Sequence, residues 1–300
     1  MSDYGYFDDN RREYVITNPR TPVKWINYVG TLPFGGIVDH TGGSLLCAGD
    51  PALNRIVKYI PQLPSSEFKG QTLYVRIRRG GKFTMFSPFY VPTLDPYEQY
   101  QCRVGLSYQR VESVFHGIRC EVTIFVPPGE PVEIRDIRIT NQTDAPVELD
   151  LIPVAEFTHF EALKQFNNAD WVPQTMMCEA DEEPGGAVVL RQFAFMRKDT
   201  RVNFFTSNHP VDSFQTDRKK FLGANEYGTW ADPLELQQEH LSNVQARRGD
   251  VIAAMLHRLG TVAPGETRRL ITLLGQAPPG EISATITRFR QDSDCLLYTS

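Results

Sequence analysis

The sequence predicts an all-β fold, a large layered antiparallel β-sandwich, and three observations carry that expectation. From Leu73 onward, runs rich in β-branched and aromatic residues alternate with short turns of polar, glycine and proline residues. Within the runs, apolar residues recur at every second position, as in Cys120-Glu121-Val122-Thr123-Ile124, which is the period of a strand. Segments with helical spacing are few and short.

Tyr14-Val15-Ile16-Thr17 reads as a first strand, stopped by Asn18-Pro19 because proline lacks the N–H that a ladder needs. Thr21-Pro22 then holds the chain extended and delivers Trp25 and Tyr28, two large amphipathic rings, to one place. The glycine pairs in Phe34-Gly35-Gly36 and Thr41-Gly42-Gly43 each permit a turn with positive φ or a close backbone approach. Leu73 to Ile77 and Lys82 to Phe86 flank Gly80-Gly81 and read as a hairpin.

Pro127-Pro128-Gly129 closes the strand at Cys120 to Ile124, and the next runs from Val132 to Thr140. Asn141-Gln142-Thr143 matches a glycosylation triplet but is read as a turn leading into the strand Val147 to Val154. Val188 to Met196, Val202 to Thr206, Val251 to Leu259 and Arg269 to Leu274 continue the pattern, the last two joined across Val262 to Glu266. About a dozen strands or more are expected.

Short helices are expected at Pro51 to Tyr59, Phe160 to Phe166 and Pro233 to Leu241. Glu281 to Arg290 differs from these: Ile282, Ile286 and Phe289 fall on one helical face after Pro278-Pro279-Gly280. The change of composition there places a boundary near residue 278. The expectation is a β-sandwich domain over residues 1–278 and a helical linker over 279–300 that is cut short, its last ten residues departing from natural coding.

The net charge of −5, with basic residues scattered, leaves no stripe to hold a phosphate backbone, so nucleic acid is not an expected partner. No run approaches the length of a membrane span, and charges occupy the first thirty residues where a signal peptide is apolar. The expectation is a cytoplasmic protein with no membrane partner. Cys47, Cys102, Cys120, Cys178 and Cys295 are widely spaced with no CxxC pair, which predicts reduced, mostly buried thiols and no zinc site. No metal ligand and no cofactor is expected. The six histidines show no metal spacing either.

Several stretches together resemble one family. Gly5-Tyr6-Phe7-Asp8, the run Arg12 to Tyr28 with its Glu13-Tyr14-Val15-Ile16-Thr17 and Trp25-Ile26-Asn27-Tyr28, and Thr41-Gly42-Gly43 are similar to the amino terminus of the glycoside hydrolase family 94 phosphorylases. Arg103-Val104-Gly105-Leu106-Ser107-Tyr108, His116-Gly117-Ile118-Arg119 with Thr123 to Pro127, Glu156-Phe157, Asp217-Arg218-Lys219-Lys220-Phe221-Leu222-Gly223, Gly249-Asp250 and Ala263-Pro264-Gly265-Glu266 extend the resemblance from residue 4 to about 277. The family includes cellobiose, cellodextrin, chitobiose and laminaribiose phosphorylases.

The resemblance implies a sandwich of the galactose mutarotase-like, supersandwich type that opens an inverting β-glycoside phosphorylase. In that reaction one carboxylic acid protonates the leaving oxygen of a β-linked oligosaccharide while inorganic phosphate, the co-substrate, attacks from the opposite face. The resemblance also implies that the acid lies in a downstream (α/α)6 barrel absent from this chain, so no catalytic residue is expected here. It implies a homodimer as well, in which a loop near Lys164 to Thr175 reaches towards the partner's cleft. The substrate-binding candidates on that loop are Asn168, Asp170, Trp171 and Gln174. Cellobiose phosphorylases read Asn-Phe-Gln-Arg where this chain has Asn168-Ala169-Asp170-Trp171, which leaves acceptor and linkage open.

Plainer readings stand beside these. Trp171 can pin its loop to the sheet instead of stacking on a sugar, Asp170 can be a turn residue, and Asp217-Arg218 can be an ion pair that orders a loop. Two other functions also stay open. One is a non-catalytic glycan-binding sandwich using Trp25, Tyr28 or Trp171 as a platform. The other is a mutarotase-like, sugar-modifying enzyme using His159 with Glu156 or Glu161.

Overall fold

The alternating runs become strands, and the turns between them decide which sheet each strand joins. The computed structural model describes residues 4–183, 186–196 and 199–290. β1 (Gly5–Asp8) and β2 (Glu13–Ile16) form a first hairpin. β3 (Ile26–Thr31), β4 (Phe34–Asp39) and β5 (Ser44–Cys47) make a small separate meander. β6 (Gln71–Arg79) and β7 (Lys82–Phe86) pair across Gly80-Gly81, both at positive φ, as the hairpin reading requires.

β8 (Gln99–Gly105), β9 (Tyr108–Phe115), β10 (Ile118–Phe125) and β11 (Val132–Asn141) run as an antiparallel meander. β12 (Val147–Glu156) follows, then the short helix α1 (Ala162–Asn167). β13 (Met176–Glu183), β14 (Ala187–Ala194), β15 (Val202–Ser207), β16 (Ser213–Asp217), helix α2 (Arg218–Leu222), β17 (Val251–Val262), β18 (Thr267–Gln276) and helix α3 (Ile282–Arg290) complete the described chain.

These strands form a ten-stranded sheet ordered β1-β2-β8-β9-β10-β11-β18-β15-β14-β13 and a five-stranded sheet ordered β16-β17-β12-β6-β7. Every pairing is antiparallel. Val122, Ile124, Ile137 and Ile139 of the large sheet share one core with Val75, Ile77, Leu149, Leu151 and Met255 of the smaller one. The outer faces are covered too. Ile282, Ile286 and Phe289 of α3 pack on Phe125, Ile134, Phe204 and Leu273, and Phe221, Leu222, Leu236 and Leu241 cover Tyr74, Ile152, Ile252 and Leu256. Central strands are therefore buried on both faces, which explains why β12 is buried at every position but Glu148 and carries the apolar run Leu151 to Ala155.

The turns after β11 and β17 are corners where the chain changes sheets, not hairpins: β11 and β18 lie in the large sheet, β12 and β17 in the small one. Asn141 clasps both corners. Its Nδ2 donates to Ala145 O at 2.8 Å and Val262 O at 2.9 Å, and its backbone exchanges bonds with Glu266 and Gly265. Buried in this role, Asn141 is the turn residue the sequence suggested.

Two expected helices do not form. In 51–59 the N–H groups serve neighbours instead: Arg55 N donates to Phe160 O, Ile56 N to Leu46 O, and Val57 bridges Phe157. In 233–241 only a single 3-10 turn, Leu234–Gln237, is present, because the buried Arg76 guanidinium takes the carbonyls of Leu236, Gln238 and Glu239 at 3.2, 2.6 and 3.2 Å. Those carbonyls are then unavailable to a helix ladder. The helices expected near 160–166 and 281–290 are α1 and α3. Cys47, Cys102, Cys120 and Cys178 are buried free thiols, and Cys295 lies outside the described residues.

Candidate functional site

Two places gather aromatic rings and charged groups. The first is the amino-terminal stretch around Trp25 to Gly43. Its Asp39 carboxylate is fully buried and accepts from Thr41 N at 2.8 Å, Thr41 Oγ1 at 2.7 Å, Gly43 N at 3.3 Å and Tyr59 Oη at 3.2 Å, with Lys24 Nζ at 3.9 Å. His40 accepts from Trp25 N on Nδ1 at 3.2 Å, and its Nε2 faces Pro19 O at 2.9 Å. Burial pulls the Lys24 ammonium below its usual range and does the same to His40, so the imidazole is neutral.

Glycines close this knot. Gly42 has φ +78°, and a Cβ there would lie 2.5 Å from the Phe89 ring; one on Gly43 would lie 2.4 Å from Asp39 Oδ2. With its groups buried and partnered, the region is structural. Trp25 and Tyr28 are not brought to one place: Trp25 packs on Tyr4 and Tyr14, at ring-centroid distances of 5.9 and 6.0 Å, while Tyr28 is 75% exposed on β3. Side chains three apart in extended chain point to opposite sides, and this separates them.

The second place lies where β12 leaves its sheet. Residues 158–175 run through Thr158-His159-Phe160, α1 and a 3-10 turn, Val172–Thr175, opened by Pro173. Buried amides fix its base: Gln165 Oε1 accepts from Thr158 Oγ1 at 2.6 Å and His159 N at 2.5 Å, and Gln192 Nε2 donates to Thr158 O at 2.9 Å. Val172 and Pro173 are buried, and Gly249 N donates to Pro173 O at 3.0 Å, which anchors the tip.

The anchored loop is a wall between two depressions. On one side a crevice of about 740 Å³ is lined by His159, Glu161, Lys164, Trp171, Thr175, 194–196 and 199–201. On the other, about 430 Å³ is lined by Asp170, Gln174, Asp217, Lys219, Arg248 and Asp250 with their neighbours. The four residues predicted from sequence are thus divided. Trp171 faces the first, Asp170 and Gln174 the second, and Asn168 steadies the wall, its Oδ1 accepting from Trp171 Nε1 at 3.3 Å. Asp170 Oδ1 accepts from Trp171 N at 3.0 Å, a turn bond of the kind the plainer reading expects.

Phe195, Met196, Asp199, Thr200 and Arg201 were not singled out by sequence reasoning. The signal was there: Phe195 and Met196 are consecutive large apolar residues, so a two-residue period cannot bury both, and they are 58% and 53% exposed. Arg201 is held over the Phe160 ring, 4.4 Å to its centroid, and grips Asp199 from Nε at 2.9 Å and Nη2 at 2.6 Å. Those bonds hold the Asp199 carboxyl below the usual carboxylate range. His159 accepts from Glu161 N at 3.0 Å, and burial, with Lys164 adding to it, lowers its pKa.

Glu156 is not part of that crevice. Its Oε1 meets Lys58 Nζ at 3.2 Å and Arg218 Nε at 3.0 Å, so the fold does not assemble Glu156 with His159 as an acid/base pair. Nor do Asp217 and Arg218 pair with each other as the loop reading suggested. Asp217 caps α2 by accepting from Lys220 N at 3.1 Å, and Arg218 reaches Glu156 and Trp230. Among the described residues no group of three or more His, Cys, Asp or Glu could hold a metal ion, and no helix is long and apolar enough to cross a membrane.

The fold defines a large antiparallel sandwich of the supersandwich class. A bacterial glucoamylase solved with acarbose matches it with a TM-score of 0.56 at 11% identity, covering 92% of this chain and 36% of that one. A protein from the human microbiome described as a kojibiose phosphorylase matches with a TM-score of 0.55 at 10% identity, covering 97% and 37%. The chain belongs to the glycosyl hydrolase 94 family, whose supersandwich-domain model matches residues 12–292.

Among curated relatives, N,N'-diacetylchitobiose phosphorylase of Vibrio proteolyticus is 31% identical over 274 residues, which is 91% of this chain and 33% of that protein. Solabiose phosphorylase of Paenibacillus borealis is 28% identical over 295 residues, 96% of this chain and 36% of that protein. The chain spans about a third of the length of the curated relatives it matches.

Proposed function

We propose that this chain is the amino-terminal sandwich of an inverting β-glycoside phosphorylase, which cleaves a β-linked oligosaccharide with inorganic phosphate to a sugar 1-phosphate and a shortened glycan. The observation that carries the reading is the family match over residues 12–292, with phosphorylases as relatives that cover 91% and 96% of the chain.

The general acid of such a reaction must hold a proton at neutral pH. Asp199 cannot, because Arg201 keeps it ionised, and Glu156 is tied between Lys58 and Arg218. As the family resemblance implies, we place the acid, and the phosphate site, on the remainder of the parent protein, in an (α/α)6 barrel reached through α3.

The sandwich supports that barrel and, in a homodimer, turns the loop bearing Asn168, Asp170, Trp171 and Gln174 towards the partner's cleft. Its exposed polar tip on a buried Val172-Pro173 anchor supports this role. The free thiols support a reducing, cytoplasmic setting.

The test is phosphorolysis of β-linked glucobioses and N,N'-diacetylchitobiose by this chain and by a version extended through the downstream reading frame. Sugar 1-phosphate release by the extended protein alone is expected, and the active disaccharide names the linkage. Release by this chain alone, or silence of the extended protein with every disaccharide, overturns the reading.

A further inference from the structure

A row of amide side chains crosses the large sheet and grips the base of the 158–175 loop. Gln192 of β14, Asn203 of β15 and Gln276 of β18 are direct cross-strand partners on three neighbouring strands. Asn54 and Gln276 exchange two bonds, Asn54 Nδ2 to Gln276 Oε1 at 2.7 Å and Gln276 Nε2 to Asn54 Oδ1 at 2.9 Å. Gln276 Nε2 also donates to Asn203 Oδ1 at 2.7 Å, Asn203 Nδ2 to Gln192 Oε1 at 2.7 Å, and Gln192 Nε2 to Thr158 O at 2.9 Å.

Both ends of the row reach the same few residues. One ends on Thr158, and at the other the segment bearing Asn54 takes Ala162 N on Ala52 O at 3.0 Å and gives Arg55 N to Phe160 O at 2.9 Å. The bonds close a circuit around the start of the loop. Thr158 passes the constraint to α1, since Gln165 Oε1 accepts from Thr158 Oγ1 at 2.6 Å.

The row also has a direction. A backbone carbonyl only accepts, so Thr158 O requires the amide nitrogen of Gln192. That leaves Gln192 Oε1 for Asn203, which must present Nδ2 to it and turn Oδ1 towards Gln276. One carbonyl thus fixes which way three amides face. Gln192 and Asn203 are fully buried, where an unmade hydrogen bond is costly. An apolar side chain of the same volume would fill the space without selecting one position of Thr158, whereas a hydrogen bond weakens steeply with distance and angle.

We propose that Asn54, Gln192, Asn203 and Gln276 are positioning residues: their amide row sets where the 158–175 loop stands, and so its reach towards the partner's cleft. The cleft rests on the phosphorylase reading; the placing of the loop rests on the row alone.

Two variants of Gln192 test the proposal, by hydrogen exchange and mass spectrometry of this chain, each against the parent at the same pH. Gln192→Leu removes the donor to Thr158 O, and peptides of 158–175 should exchange about tenfold faster at both pH 8 and pH 5.5, with β9 and β10 unchanged. Gln192→Glu keeps the shape. Ionised, it turns a carboxylate oxygen on Thr158 O; protonated, it donates there as the amide does. Its loop should be loosened about tenfold at pH 8 and restored to nearly the parent rate at pH 5.5.

Unchanged loop exchange in Gln192→Leu, a rise shared equally by β9 and β10, or failure of acid to restore Gln192→Glu overturns the proposal. In the extended protein, Gln192→Leu should raise KM for the cleaved disaccharide about tenfold and leave kcat within about twofold, as expected when binding is lost and the acid is untouched. A loosened loop with KM unmoved overturns the proposal and keeps the phosphorylase reading. Silence of the unaltered extended protein removes that reading, and hydrogen exchange then decides the row by itself.

Discussion

Residues 24–43 and residues 159–201 are built from the same kinds of group, yet the fold treats them oppositely. Each contains a tryptophan, a neutral histidine, a lysine and an aspartate held by specific bonds. In the first, Asp39 and His40 are buried beneath the small β3–β5 meander, and Gly42 and Gly43 let the backbone close over them. In the second, Trp171, Phe195 and Met196 remain exposed around an open hollow. The same kinds of residue form a closed, buried knot in the first region and line an open hollow in the second.

The most severe way to break this contrast is Asp39→Ala. It strands the buried Lys24 ammonium, the Tyr59 hydroxyl and two backbone N–H groups, and should cost about 3–5 kcal/mol, the range for breaking a buried charge network. Urea unfolding measures it. A loss below 1 kcal/mol would mean that the knot is not what holds the meander down.

Gly42→Ala should follow at about 2–4 kcal/mol, combining an unfavourable positive φ with a Cβ driven into the Phe89 ring. A fall in thermal midpoint without loss of cooperativity is the expected readout. Retention of the parent midpoint would show that Phe89 yields.

Acid titration compares the two regions directly. His40 and His159 both have pKa values below the ordinary 6.5, mainly through burial. The unfolded chain takes up these protons near pH 6.5 and the folded chain only lower. Their contribution to stability is thus complete above the unfolded pKa and lost as pH falls through the lowered ones. Urea midpoints should be flat above about pH 7 and decline below about pH 6.5. His40→Gln and His159→Gln should each make that decline shallower; an unchanged slope in both would place it elsewhere.

The smallest effect on stability should come from Trp171→Ala, under about 1 kcal/mol because half of the side chain is already in water. A stability loss rivalling that of Asp39→Ala would return Trp171 to the role of a loop pin.

Strand identity was legible because alternation and turn chemistry act between near neighbours. The runs at 73–77, 120–124 and 132–140 needed nothing beyond their own pattern, and Gly80-Gly81 announced its hairpin. The face Ile282, Ile286 and Phe289 announced α3. The candidate loop was visible through the family resemblance, and Trp171 with it. Its division between two depressions was not, because the opposite walls come from residues 194–201 on one side and 217–250 on the other.

By itself the sequence determined an antiparallel β architecture, its main turns, its amphipathic final helix and its family, all properties of local period and short motifs. The tertiary structure decided the rest. It put β17 and β18 in different sheets and spent the N–H groups of 51–59 and the carbonyls of 233–241 on neighbours instead of helices. It also buried His40 while leaving Trp171 in the open. The physical reason is one of range. Propensity and alternation record what residues a few positions apart prefer, whereas burial and hydrogen-bond satisfaction are settled among groups up to a couple of hundred residues apart, as Asn54 and Gln276 are.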